Sequence, residues 1–156
     1  MKSTKYVILF LCITLVWSCS SDDDANNQNP PTAAQLLVSH GSWSLESFTV
    51  LEIRDAGPST ATSQEIEDGI MDDLSGTTIV FNSDFTGTLT NPQAQSPFTW
   101  LINTDDSLIL TQTSGDVINF DTVSVTDTQL MLNTEATFYD SVVDYDVEVY
   151  GTFAFE

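Results

Sequence analysis

The feature that most constrains the fold of this chain is the alternation of apolar and polar residues from Trp43 to the last residue. In residues 147–155, for example, every second residue is Val, Gly or Phe, and most of the residues between them are polar. Residues two apart lie on the same face of a β-strand, so this pattern gives each strand one buried and one wet face. The pattern predicts an all-β chain from Trp43 onward.

Turn segments rich in Asn, Asp, Gly, Ser and Thr divide this region into short strands that hairpins can connect. The eight predicted strands are residues 43–53, 77–81, 86–89, 98–103, 107–112, 117–125, 129–133 and 146–155. An antiparallel meander with one buried face can close on itself, and closure removes exposed strand edges. We therefore predict an eight-stranded antiparallel up-and-down barrel. The alternative is a β-sandwich, in which the strands form two packed sheets.

Residues 54–76 are too many for a hairpin turn and predict one short helix in the first loop. Residues 62–65, Thr-Ser-Gln-Glu, have the form of a capping box. Gly69 disfavours the helix by ~1 kcal/mol, and Asp72 and Asp73 lie at the end where the helix dipole disfavours anions. We predict a weakly docked lid over the mouth of the barrel, with one apolar face: Ile66, Ile70, Met71 and Leu74. A second short helix, residues 32–38, precedes the first strand.

Large aromatic residues occupy inward positions of the predicted strands and form the candidate ligand pocket: Trp43, Phe81, Phe98, Trp100, Phe120 and Phe153. An eight-stranded barrel is either filled by its own side chains or holds one small ligand. The predicted strands are short and these side chains are large, which favours a filled or shallow interior.

The first 18 residues are typical of a secretory signal peptide. Lys2 and Lys5 precede an apolar run, residues 6–16, which is shorter than the roughly 20 residues of a transmembrane helix. We therefore predict a signal peptide at residues 1–18. Residues 19–35 then form a polar, acidic tether, and residues 36–156 form the folded domain.

The sequence Val16-Trp17-Ser18-Cys19 resembles the lipobox of bacterial lipoproteins. This resemblance implies cleavage before Cys19 and a lipid anchor on its sulfur, so that the membrane is the first expected partner. Residues 22–24, three aspartates, resemble the export signal that places Bacteroidetes lipoproteins on the outer face of the outer membrane. A solvated acidic linker is the other interpretation of these aspartates. Both interpretations place the protein outside the cytoplasm, and the resemblance implies the outer membrane.

A second resemblance concerns the folded domain. Gly41-Ser42-Trp43 opens the first predicted strand, a long loop follows, and hairpins lead to a final strand that closes the sheet. In these features residues 36–156 resemble the lipocalin-like domains of Bacteroidetes lipoproteins, which implies a barrel that binds a small ligand. In lipocalins the matching Trp packs against an arginine from late in the chain, but here no basic residue follows Arg54.

The charge of the predicted mature chain limits its partners. Of 3 Lys and Arg residues only Arg54 lies after residue 18, while all 23 acidic residues do, so the formal charge is 1 − 23 = −22. Nucleic acid is excluded as a partner, because phosphate contacts require Lys or Arg. Cys12 lies in the signal peptide and Cys19 carries the lipid, so no disulfide is expected in the domain.

The residues that could carry chemistry are few. His40 is the sole histidine, and no Cys or Lys in the mature domain can complete a nucleophilic or metal-binding group with it. Calcium prefers oxygen ligands, and Asp144, Asp146 and Glu148 are the candidates for such a site. They alternate onto one strand face about 7 Å apart, which favours a solvated face over one tight site. We expect no enzymatic activity, cofactor or metal.

These observations predict a lipid-anchored protein of the cell envelope whose barrel binds a small apolar or amphipathic molecule. The alternative is a non-catalytic protein–protein interaction or structural accessory module of an outer-membrane complex, with a filled barrel. The interior between Trp43, Trp100 and Phe120 distinguishes the two, since it is open to solvent in the first case and packed in the second.

Overall fold

The computed structural model describes residues Pro30–Glu156, apart from the side chain of Thr122. The predicted signal peptide, Cys19 and the first part of the predicted tether lie outside the described residues. Within the described range the chain forms two helices and nine strands. They are α1 (Ala33–Ser39), β1 (Trp43–Asp55), α2 (Ser63–Leu74), β2 (Thr78–Phe81), β3 (Thr86–Thr90), β4 (Gln95–Ile102), β5 (Leu108–Gln112), β6 (Val117–Phe120), β7 (Thr122–Val125), β8 (Leu130–Asp140) and β9 (Tyr145–Phe155).

All nine strands belong to one antiparallel sheet, with the order β6-β5-β4-β3-β2-β1-β9-β8-β7. Strands consecutive in the chain therefore pair with each other, except β6 and β7, and β9 pairs with β1 over nearly its whole length. The two strands at the ends of this order, β6 and β7, are separated in the chain only by Asp121. The two ends of the sheet therefore lie close together, and the sheet forms an almost closed barrel. The all-β barrel prediction and the helix in the first loop are confirmed, and the strands do not form two packed sheets.

The barrel has nine strands where eight were predicted, because the predicted strand 117–125 is interrupted at Asp121. Before this residue the segment pairs with β5, from Thr111↔Val117 to Leu108↔Phe120. After it the segment pairs with β8, from Thr122↔Asn133 to Val125↔Leu130. One bent segment thus changes partner at Asp121 and joins the two sides of the seam. The Thr134 hydroxyl also donates to the carbonyl of Asn119 across the seam, at 2.7 Å.

The first core lies inside the barrel, near α1. A capping box starts this helix, since the Thr32 hydroxyl accepts from the amide of Gln35 and the Gln35 side chain accepts from the amide of Thr32. Leu37 is the buried residue of α1 and packs with inward residues of the strands, among them Ile79, Leu110 and Leu132. Burial of these side chains stabilises the packing of α1 against the barrel.

The second core lies under α2, on the inward faces of β1 and β9. Ile66 and Ile70 of the helix pack there with Phe48, Val147 and Val149. The predicted capping box at residues 62–65 is present, with reciprocal hydrogen bonds between Thr62 and Glu65. Half-buried residues shared by both cores connect them: Met71, Leu74 and Phe153. In the described part of the chain no helix has the length and hydrophobicity needed to cross a membrane.

Candidate functional site

The aromatic residues predicted to line a ligand pocket come together inside the barrel, where they pack against one another. The ring of Phe81 meets those of Phe98 and Trp100 edge-on, with centroids 5.7 Å and 5.5 Å apart. The exposed fractions of Trp43, Trp100 and Phe120 are 0%, 4% and 7%. Phe153 is half-buried between the two cores. The space around these residues is therefore occupied by protein.

The end of the barrel nearest α1 is held by the indole of Trp43. Its Nε1 donates to the carbonyl of Leu37 at 3.0 Å, a buried bond that joins the first strand to the helix. The ring of His40 stacks on that of Trp43, with the two ring centroids 3.9 Å apart. His40 Nδ1 lies 3.1 Å from the carbonyl of Ser42. Both contacts join the His40 ring to the start of β1, and neither involves an acidic or nucleophilic side chain.

The predicted lid residues lie at the other end. Ile66 and Ile70 are buried and Met71 and Leu74 are half-buried, all on the face of α2 that meets the strands. The Glu67 side chain accepts a hydrogen bond from the amide of Val50 at 2.8 Å, which attaches the helix to β1.

The helix is also closely packed at Gly69. A Cβ atom at this position would overlap the ring of Phe138 on β8. From the sequence alone Gly69 is only a weak point of the helix, because nothing near residue 69 reveals its contact with residue 138.

The candidate calcium ligands lie in and after the β8–β9 turn. The Asp144 carboxylate accepts from the Tyr139 hydroxyl at 2.7 Å, and this bond raises the pKa of Tyr139. Asp146 and Glu148 lie exposed on β9. Asp140, on the other side of the turn, accepts instead from the Ser59 hydroxyl at 2.6 Å. No group of three or more acidic, His or Cys residues that could hold a metal occurs within Pro30–Glu156.

Arg54, the basic residue retained in the predicted mature chain, lies on the outer face of the sheet. Its guanidinium contacts Glu135 on β8 and lies 3.6 Å from Glu52. The same group lies 4.7 Å from the centre of the Tyr150 ring. The positive charge is thus shared between two carboxylates and an aromatic ring and is not directed toward an open site.

An apolar groove on the surface is the feature that sequence reasoning missed. It lies between α1 and the β2–β3 turn, with a volume of about 290 Å³. Ala34 and Val38 of the helix form one side, Phe85 forms the other, and Trp100 lies at its floor. We call this feature the Phe85 groove. Its edge carries the polar side chains of Gln35, Ser39 and Ser83.

Phe85 gives the groove its exposed aromatic wall. Its side chain is 55% exposed, and its ring lies 5.1 Å from that of Trp100. The indole of Trp100 is held in place because its Nε1 donates to the carbonyl of Thr86 at 2.9 Å. The signal available in the sequence was an aromatic residue at the end of the turn Asn-Ser-Asp-Phe, where glycine is more usual.

Comparisons with known proteins identify no family for this chain. No family model matches it, and no curated protein matches it. Among solved structures, the chain is similar to a DUF4847 family protein from Bacteroides vulgatus ATCC 8482. The two share 17% sequence identity with a TM-score of 0.45, over 75% of this chain and 93% of that one. A similarity of this strength supports no conclusion about function.

Proposed function

We propose that this chain is a lipid-anchored, non-catalytic protein of the outer membrane whose lipocalin-like barrel is filled and acts through its outer surface. In this role it is an interaction or structural accessory module of an envelope complex. The anchor is proposed from the lipobox-like sequence ending at Cys19 and from the aspartates that follow it. The tether would let the domain reach partners at a distance from the lipid surface.

The observation that carries this proposal is the packed interior. Trp43, Trp100 and Phe120 are nearly free of solvent contact, so a ligand between them would have to displace well-packed side chains. α1 closes one end through Leu37, and α2 covers the other with Ile66 and Ile70. A small apolar ligand in the interior was the first expectation from the sequence. The geometry favours the alternative, in which binding occurs outside the barrel.

The charge supports a role in specific contacts with other envelope components. A formal charge of −22 on the predicted mature chain repels anionic lipid head groups and keeps copies of the protein apart. Charge of one sign also steers partners of the opposite sign toward the surface.

Two experiments test the proposal in the native host. The Cys19→Ala variant should keep its signal peptide and lose labelling by a palmitate analogue, and continued labelling of this variant would exclude the anchor. Photo-crosslinking residues placed singly at exposed positions of several strands and turns should give discrete adducts with envelope proteins from at least one region of the surface.

Native mass spectrometry of the extracted protein tests the filled interior directly. The expected mass is that of the lipidated chain alone or with a partner protein. A small apolar molecule that leaves only when the domain unfolds would contradict the filled barrel. In the photo-crosslinking experiment, absence of protein adducts from every surface position would contradict the interaction role.

A further inference from the structure

The backbone of Phe85 has an unusual conformation for an aromatic residue. Its φ is 63°, in the left-handed region that favours glycine and disfavours side chains with a β-carbon. Two hydrogen bonds hold it there: its amide donates to the carbonyl of Asn82 at 3.2 Å, and its carbonyl accepts from the amide of Trp100 at 2.9 Å. Such strained positions are concentrated at functional sites.

Burial of the ring does not explain why phenylalanine occupies this position. The side chain is 55% exposed, so much of its apolar surface remains in water. A glycine would fit the turn without strain. The ring therefore contributes to the surface, where it forms a wall of the Phe85 groove above Trp100.

The groove has the size and lining of a site for one large apolar side chain. Its volume of about 290 Å³ lies at the lower limit for ligand pockets, which start near 300 Å³. Ala34, Val38 and the two aromatic rings make the lining mostly apolar. Trp100 is held by its indole hydrogen bond, so the floor is already arranged before anything binds.

The surroundings of the groove are acidic. Asp84 lies in the same turn as Phe85 and is exposed, and the bonds it accepts from Thr86 lower the pKa of its carboxyl group. Further aspartates lie in the β4–β5 and β7–β8 turns at the same end of the barrel: Asp105, Asp106 and Asp127. Lys and Arg are absent from residues 30–156 except for Arg54, whose charge is already shared with Glu52 and Glu135.

From this combination we propose that the Phe85 groove docks a protein segment that presents one large apolar side chain between Lys or Arg residues. The apolar side chain would enter between Phe85, Trp100 and Val38, and the flanking cations would face Asp84 and the neighbouring turns. This inference rests on the proposed function, since it names the surface and the kind of partner through which the filled barrel acts.

The test uses three matched peptides, capped at both ends, and the purified mature chain at about 0.15 M salt, where exposed charges are partly screened. The peptides contain Lys-Lys-Phe-Lys-Lys, Lys-Lys-Ser-Lys-Lys and Glu-Glu-Phe-Glu-Glu. Binding is followed by amide chemical shifts. The first peptide should bind saturably with shifts at α1 and the β2–β3 turn, and at least ten times more tightly than the second. The third should not bind.

The decisive variant is Phe85→Gly, because glycine keeps the turn and removes only the ring. It should unfold at the same or a higher urea concentration than the wild type and bind the first peptide at least tenfold more weakly. Leu101→Ser, which removes an exposed apolar side chain from the outer face of β4, is the matched control and should leave binding unchanged. Asp84→Asn should weaken binding several-fold.

Three results would overturn the inference. The first is unchanged peptide affinity in Phe85→Gly, and the second is a marked loss of stability in that variant, which would make the ring a structural element. The third is saturable binding of the neutral dye N-phenyl-1-naphthylamine in the groove without binding of the first peptide, which would make it a small-molecule site. If the groove fails but crosslinks form from other surface positions in cells, the interaction role stands and only its location changes.

Discussion

The ring of Phe138 on β8 occupies the space that a Cβ atom on Gly69 of α2 would need. Through this contact the helix backbone approaches the sheet at the position where its own sequence looks least stable. The absence of a side chain at residue 69 therefore serves the packing of α2, together with the burial of Ile66 and Ile70. α2 is a docked element that covers one end of the barrel.

Substitution of Gly69 by alanine tests this packing. The higher helix propensity of alanine would by itself stabilise the protein by about 1 kcal/mol. The added methyl group also displaces the Phe138 ring, which destabilises the protein by about 1–3 kcal/mol. We expect a net loss of about 1 kcal/mol in urea unfolding. The exposed helix residue Asp73 provides the control, since Asp73→Ala should stabilise by a few tenths of a kcal/mol.

A double-mutant cycle isolates the contact. In a Phe138→Ala background the space beside residue 69 is empty, and Gly69→Ala should then become stabilising. A Gly69→Ala variant that is more stable than the wild type with Phe138 in place would show that the helix is not closely docked.

The bond between Trp43 and Leu37 predicts the effect of Trp43→Phe. The phenyl ring retains most of the apolar contact but leaves the buried carbonyl of Leu37 without its donor, which destabilises by about 1–3 kcal/mol. Urea unfolding should show this loss, and amides of α1 should exchange faster. His40→Ala, which removes an exposed stacking partner, should change stability by less than about 0.5 kcal/mol. Equal stability of wild type and Trp43→Phe would contradict the role of this bond.

We expect Asp140 to account for part of the loss of folding stability at low pH. Its bonds from the Ser59 hydroxyl and the Val142 amide hold the pKa of its carboxyl group below the ordinary value of 3.8. This contribution to stability is complete above the pKa of the unfolded chain and is lost as pH falls through the lowered pKa of the folded one. The difference in urea midpoint between wild type and Asp140→Asn should therefore shrink from pH 5 to pH 2.5. Ser59→Ala should show the same trend, and a constant difference would contradict it.

The order of the strands and the alternation of their faces were predictable from the sequence, because both follow from local period and turn residues. The same alternation placed Trp43, Trp100 and Phe120 at inward positions, and these residues are buried. The break at Asp121 was not predictable, since it reflects a change of partner from β5 to β8 and not a local signal. The Phe85 groove was missed for the same reason, because it requires α1 to lie beside the β2–β3 turn.

The net charge predicts a salt effect. A formal charge of −22 on the predicted mature chain makes self-repulsion larger than the attraction around Arg54, so added salt should raise the urea midpoint. Calcium should act in the same way, by screening, with no saturation at micromolar concentrations. A saturable rise in melting temperature that disappears in the Asp144→Asn/Asp146→Asn variant would reveal a specific cation site.

Hydrogen exchange at α2 tests the filled, covered barrel most directly. If the helix is a docked part of the core, the amides of residues 66–74 in the purified mature chain should exchange with free energies close to those of β8 and β9. Added urea should lower the exchange free energies of α2 and of the two strands in parallel, as expected when all three open in one global unfolding event. Exchange of residues 66–74 that is orders of magnitude faster, while β8 and β9 stay protected, would show a mobile lid and contradict this account.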